Sequence, residues 1–317
     1  MHAMNEWNVA PLLGASILWG TTGTGQALAD LHTAPPAIGA ARLLAGGFAL
    51  WLVAAARGRL SLAELVSPRL RPWFLGAGAA TAIYQAAFFA AVARTGVALG
   101  TLVALGSAPA FCGLFARQLA GERLPAAWTL ATGCAILGCV LLLAPGGHGG
   151  VDLVGVALSV VAGACYGAYT VCVKRLLGAG ADPLSVLVAT VTVGAVLLAP
   201  AFVTSGGAGA LVSPTGALLV VWLGPVATAG AYVLFVRGLA HVPARTAGTL
   251  SLAEPLTATV LGTIVLAESW SPARLAGGAL LAVGLAFSVL RPGAAGEDPV
   301  PAMRDESLPA EPLTEAA

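Results

Sequence analysis

The sequence predicts an all-α membrane protein of ten transmembrane helices, arranged as two inverted repeats of five. Three observations carry that expectation. Hydrophobic residues make up 58% of the 317-residue chain and charged residues only 9%, against about 25% charged in an ordinary soluble domain. Ten apolar runs follow one another before residue 292, each close to the ~20 residues needed to cross a hydrocarbon core. The two halves also lie over each other at a shift of 146 or 147 residues.

The first run spans residues 9–29. It ends in Ala27-Leu28-Ala29, which looks like a signal-peptidase site, but no Lys or Arg precedes it and it is about twice as long as a signal-peptide core. It is expected to stay as a helix. Residues 35–56 are opened by Pro35-Pro36, 73–93 follow Pro68 and Pro72, 97–117 come next, and 125–144 begin at Pro125. Pro145-Gly146-Gly147 separates this half from 154–174; Pro183 opens 183–204 and Ser205-Gly206-Gly207 precedes 215–237. Pro243 precedes 245–267, and Ser271-Pro272 opens 272–290. Proline and glycine clusters of this kind end one helix or begin the next. The runs are too long and too little alternating for the strands of a transmembrane barrel.

Lys and Arg near span ends set the orientation. With the N-terminus inside, the inner face receives Arg57, Arg59, Arg69, Arg71, Arg117, Arg123, Lys174, Arg175, Arg237, Arg245 and Arg291, and the outer face only Arg94 and Arg274. Both termini are therefore expected in the cytoplasm of a bacterial-type inner membrane. Residues 292–317 are rich in acids and prolines and read as a disordered, solvated tail. The basic residues form no stripe, so no nucleic-acid partner is implied. Cys112, Cys134, Cys139, Cys165 and Cys172 all fall in apolar runs, without metal-ligand spacing, and read as small buried hydrophobes. No metal or cofactor is expected, and there is no phosphate-binding GxxxxGK[ST] loop.

At the repeat shift Trp19-Gly20 falls on Tyr166-Gly167, Pro109 on Pro255, Glu122 on Glu268 and Gly138 on Gly284. Each half holds five spans, an odd number, so the second half must be inverted. Inverted repeats are a common framework of secondary transporters. The halves divide as residues 9–145 and 153–291, followed by the tail.

Three stretches then bring a known family into view: LLGASILWGTTGTG, the arginine of IGAARLLAGG, and LGSAPAFCGLFARQLAGERLPAAWTLATGCAILGCVLLL. The second half answers with LSVVAGACYGAYTVCVKR and LSLAEPLTATVLGTIVLAESWSPARLAGGALLAVGLAFSVL. From residue 9 to 291 the chain resembles the EamA repeats of the drug/metabolite transporter superfamily. Gly121-Glu122-Arg123 matches the family's turn, whereas Ala267-Glu268-Ser269 keeps only its glutamate. The resemblance implies a ten-helix exporter of amino acids or related small metabolites, with a central cavity lined by the first four helices of each half.

A charge deep in a span costs at least ~2.5 kcal/mol on insertion scales. Arg42 and Glu254 are the two charges that read as deep; the other acids and the histidines His2, His32, His148 and His241 read as lying outside the spans. No carboxylate pair or ligand cluster suggests an enzyme. Arg42 suits a bidentate hold on a substrate carboxylate, or else bonds to neighbouring helix ends. Glu254 is the candidate for proton coupling, or else a neutral brace beside Pro255. That proline leaves the Ser251 carbonyl without its helical donor, so a kink or gate is expected there, with Pro109 as its repeat mate. Trp19, Thr22 and Gln26 share a helix face; with Tyr84, Gln85, Tyr166, Tyr169 and Tyr232 they are candidates for a cavity wall. Gly96 with Gly100, and Gly277-Gly278 with Ala282, suit close helix packing. The reading is a secondary transporter of a small organic solute working by alternating access in a lipid bilayer. A non-transporting scaffold or lipid-binding module of the same fold is the alternative, and a homodimer is left open.

Overall fold

A computed structural model describes residues 9–31, 33, 35–58, 67–143, 152–204, 208–267 and 271–290. The acidic tail, the breaks at Pro145 and Ser205, His2, His32, His148, Arg59, Arg291 and Glu268 lie outside the described residues. Ten helices are followed in chain order: α1 (Ala10–Ala29), α2 (Pro35–Ala56), α3 (Arg71–Thr95), α4 (Val97–Ala120), α5 (Ala126–Leu143), α6 (Leu153–Gly178) and α7 (Pro183–Thr204). They continue with α8 (Pro214–His241), α9 (Ala244–Leu266) and α10 (Pro272–Leu290). A single turn, Ala208–Leu211, precedes α8, and there is no strand among the described residues.

Eight of these helices are long and apolar enough to cross a membrane, while α5 is a shorter apolar helix. The 20-residue α1 has the length of a span, but Thr21, Thr22, Thr24 and Gln26 dilute its hydropathy. The outer surface carries large apolar side chains such as Phe48, Leu130, Leu218 and Ile264, each at least 65% exposed. A surface of that kind is stable against lipid rather than water. Several helices outrun their apolar cores: α6 includes Lys174 and Arg175, α4 includes Arg117, and His241, expected outside the spans, is the last residue of α8. Long basic side chains keep their stems on the bundle while the helix continues.

Sequence chemistry is visible at the helix ends. Asp152 Oδ1 accepts from the amides of Val154 and Gly155 at 2.9 and 3.0 Å, capping α6. Gly96 (φ 81°) turns the chain from α3 into α4, and Gly121 (φ 68°) ends α4 in the left-handed region that favours glycine.

Glycines at repeat-related positions make repeat-related contacts. A Cβ at Gly20 on α1 would stand 2.8 Å from the Glu254 carbonyl oxygen and 2.7 Å from Thr257 Cβ on α9. One at Gly167 on α6 would stand 2.8 Å from the Cys112 amide and the Phe111 carbonyl carbon on α4. The shift that carries Gly20 to Gly167 carries Phe111 to the neighbourhood of Thr257. Likewise Gly138 on α5 abuts Leu281 on α10, while Gly284 on α10 abuts Ala135 on α5, 2.8 Å from its amide. Small residues admit this approach of backbones, which drives helix association where lipid offers no hydrophobic force.

Two helices of the second half are irregular. In α9 the helix is interrupted at Ser251 and Leu252, and the Ser251 carbonyl takes its bond from the Glu254 amide at 3.0 Å because Pro255 has no N–H to give. In α8, Trp222–Gly230 is a π-helix containing Pro225. There the Thr228 hydroxyl donates to the Leu223 carbonyl at 2.7 Å. Wide turns of this type recur at functional sites.

Candidate solute cavity

The side chains converging between the two halves enclose a cavity of ≈ 540 Å³, the size of a pocket for a small organic molecule. Its walls come from the C-terminal parts of α1 and α3 and the N-terminal parts of α2 and α4, with α6, α8 and α9 and single residues of α5 and α10 completing it. Those first four helices therefore alternate in direction. The cavity reaches the helix ends at Val97, which is 69% exposed, on the face away from the chain's start. Trp19, Thr22, Arg42, Tyr84, Gln85, Tyr166, Tyr169, Tyr232, Glu254 and Pro255 all line it. Pro109 does not. Its Cα lies 3.3 Å from where a Gly248 Cβ would stand, at the contact of α4 with α9 below the cavity.

The floor is aromatic. Trp19 meets its repeat mate Tyr166 edge-on at 6.5 Å and Tyr232 edge-on at 5.5 Å, and Tyr169 meets Tyr232 at 5.8 Å. Phe235, one turn beyond Tyr232, lies beneath at 5.5 Å from Trp19. Edge-to-face packing sets the positive rim of one ring against the negative face of another and holds the floor stiff. Among the described residues the buried hydroxyls of Tyr166 and Tyr169 make no well-formed hydrogen bond; Ser251 stands close to the first and Thr190 to the second. Buried hydroxyls left in this way suit a polar ligand above them.

An arginine and a carboxyl group share this space. Arg42 Nε donates to Thr228 Oγ1 at 3.1 Å, so the wide turn of α8 orients the guanidinium. That bond fills part of the bracing role expected of a deep arginine, with a hydroxyl rather than helix-end carbonyls as acceptor, and Arg42 still lines the cavity. Glu254 lies where α9 resumes after its interruption, beside Pro255. The hydroxyl of Thr22 donates to the Trp19 carbonyl at 2.7 Å, so its oxygen faces the cavity as an acceptor.

Some lining residues escape the sequence reading. Arg274, expected only as an outer-face charge, and Cys165, expected as a buried hydrophobe, both line the cavity. Phe235, beneath the aromatic floor, escapes it too, although its three-residue step from Tyr232 is a signal that would have found it. Three further charged residues, which stand at span ends, are buried inside the protein. Arg245 is 0% exposed, Glu122 5% and Lys174 7%, on the face opposite the cavity mouth. Their positions at span ends hide this, because burial there depends on what the other half places against them. Of the cysteines, Cys112, Cys139 and Cys172 are buried, whereas Cys134 and Cys165 are half-buried.

A helical bundle with an apolar exterior and a central cavity carrying a few polar groups between repeats defines a multi-pass membrane protein with a transporter fold. The model of the EamA-like transporter family matches residues 7–144 and again 153–290, and the chain belongs to that family. It is 38% identical over 274 residues to "Uncharacterized transporter YwfM" of Bacillus subtilis (strain 168), covering 86% of this chain and 90% of that protein. It is 36% identical over 202 residues to the "Threonine/homoserine exporter RhtA" of Escherichia coli (strain K12), covering 60% of this chain and 62% of that one. A crystal structure with a TM-score of 0.77 at 24% identity, covering 91% of this chain and 98% of its own, shares the fold.

Proposed function

We propose that the chain is a secondary transporter, working as an exporter, that carries an amino acid or related zwitterion by alternating access. The observation that carries this reading is a cavity between the repeats that holds both Arg42 and Glu254 over an aromatic floor. Arg42 supplies the donors for a carboxylate. Glu254 supplies the counter-charge for an ammonium group or takes a proton that moves with the cycle. Trp19 and Tyr232 close the floor against solvent. The relative named as a threonine/homoserine exporter supports an amino-acid-like substrate. In this reading the ten helices form two inverted five-helix units, 9–145 and 153–291, in a bacterial inner membrane with both termini cytoplasmic. The cavity mouth then faces outward.

The experiment is flux into proteoliposomes of purified protein, loaded in turn with neutral, basic and acidic amino acids. Counterflow of a radiolabelled zwitterion is expected, with little of a matched amine lacking the carboxylate. Binding without flux would leave a scaffold or lipid-binding role, and preference for the bare amine would remove Arg42 from recognition.

A further inference from the structure

The face opposite the cavity mouth is shut by a contact between the halves that the transport reading does not use. Gly121 ends α4 and turns Glu122 toward the start of α9. Glu122 Oε1 accepts from the Ala244 amide at 2.8 Å, and Oε2 accepts from Arg245 Nη1 at 3.1 Å and from the Arg245 amide at 3.3 Å. The Arg245 carbonyl accepts from Trp128 Nε1 of α5 at 3.2 Å, and Thr132 of α5 bonds Thr249 of α9 at 2.7 Å. Alongside, Lys174 Nζ of α6 donates to the Leu239 and Ala240 carbonyls at 2.8 and 3.2 Å, closing the end of α8.

The α4 and α9 helices thus form a V. At the closed end Cys112 Cβ lies 2.6 Å from where a Gly248 Cβ would stand. At the open end Val97, Thr101 and Leu105 of α4 face Glu254, Ala258 and Thr259 of α9 across the cavity. Opening the closed end requires Glu122 and Arg245 to part. The sequence also breaks its own symmetry here, since the 146-residue shift places Ala98-Leu99 where Ala244-Arg245 stand. The arginine has no repeat mate, so closing the cavity mouth cannot recreate the same ion pair.

Building on the alternating-access reading, we propose that Glu122 and Arg245 are positioning residues of the transport cycle. Their ion pair latches the face opposite the cavity, and its lack of a counterpart makes the mouth-open state the resting one. A charged, water-excluded pair holds strongly while it is dry, and each partner is re-solvated when the face opens. The pair therefore sets the balance between two states rather than the affinity of either.

The test uses the native Cys165 in the cavity as reporter, with the other four cysteines replaced by alanine, in membrane vesicles of both orientations. A membrane-impermeant maleimide should label Cys165 from the mouth side in the parent. Glu122→Gln keeps an acceptor for the Ala244 amide but removes the charge. It should shift the ratio of labelling toward the opposite side by roughly tenfold, the weight of a charge-assisted bond. Arg245→Met should do the same, and the double variant should add little. Trp128→Phe removes one bond and no charge, so a smaller shift in the same direction is expected; it serves as the second variant if Glu122→Gln fails to fold. Unchanged sidedness in folded, flux-competent variants would overturn the latch while leaving the transporter standing. An absence of flux in the parent itself would overturn the transport reading instead.

Discussion

Arg42 and Glu254 bring a guanidinium and a carboxyl group into one cavity, and each is held by an irregularity in a stretch of helix. The π turn of α8 presents Thr228 to Arg42, and the proline-interrupted α9 presents Glu254. Replacing Arg42 by alanine should weaken solute binding roughly tenfold or more, as expected for losing charge-assisted hydrogen bonds. Arg57→Ala, at an exposed position after α2, should change it by less than about twofold. Calorimetry on both variants checks this, and equal affinities would reduce Arg42 to a brace for Thr228. Glu254→Gln keeps the side chain's shape but cannot titrate. If transport is proton-driven, the substitution should abolish its dependence on a pH gradient while solute-for-solute exchange persists. If pH-driven uptake survives the substitution, Glu254 is not the proton site.

At the scale of helices, packing is set where backbones touch. Gly138 abuts the backbone of Leu281, whereas Gly133, on the same helix, has nothing within 4 Å. Gly138→Ala should therefore destabilise the protein by about 1–3 kcal/mol through overpacking, while Gly133→Ala should be neutral or gain up to ~1 kcal/mol in helix propensity. Thermal unfolding in detergent compares the two, and equal shifts would remove the α5–α10 contact as the cause. The cap of α6 responds to pH. The amide of Gly155 and then the Arg94 guanidinium, 3.0 Å from Asp152, hold the Asp152 carboxyl below the usual carboxylate range, against some desolvation. A depressed value in the folded state means that this contribution is complete above the ordinary aspartate value of ~3.9 and is lost as pH falls through the lower folded value. The parent should lose more thermal stability on strong acidification than Asp152→Asn; a parallel decline would contradict this.

At the scale of the molecule, one end of the α4–α9 pair is spread around a cavity and the other is sealed by polar contacts across the repeats. Alternating access, as proposed, needs two packings of related halves close in energy. The sense of the cycle depends on which face is cytoplasmic. The basic residues Arg57, Arg69, Arg71 and Arg123 at one set of helix ends argue that the sealed face is. A reporter enzyme fused after Ala317 should be active in its cytoplasmic form only, and periplasmic activity would reverse the assignment of both faces.

By itself the sequence determined that the chain is helical, apolar outside and repeated. Each of those properties is local: a run of ~20 apolar residues has one stable form in lipid, and Trp19-Gly20 and Tyr166-Gly167 repeat within their own helices. The same local logic brought the Trp19 face, Arg42 and Glu254 forward, because a polar group inside an apolar run stands out wherever the helix packs. Tertiary structure alone decided the rest. Arg245 and Glu122 lie 123 residues apart at the ends of apolar runs, where a charge costs nothing until the other half buries it. The π turn that orients Arg42, the place of Phe235 beneath the floor and the approach of Arg274 and Cys165 to the cavity arise in the same way. They are set by the fit of one half against the other, and a pattern along one chain segment does not encode the surface that will meet it.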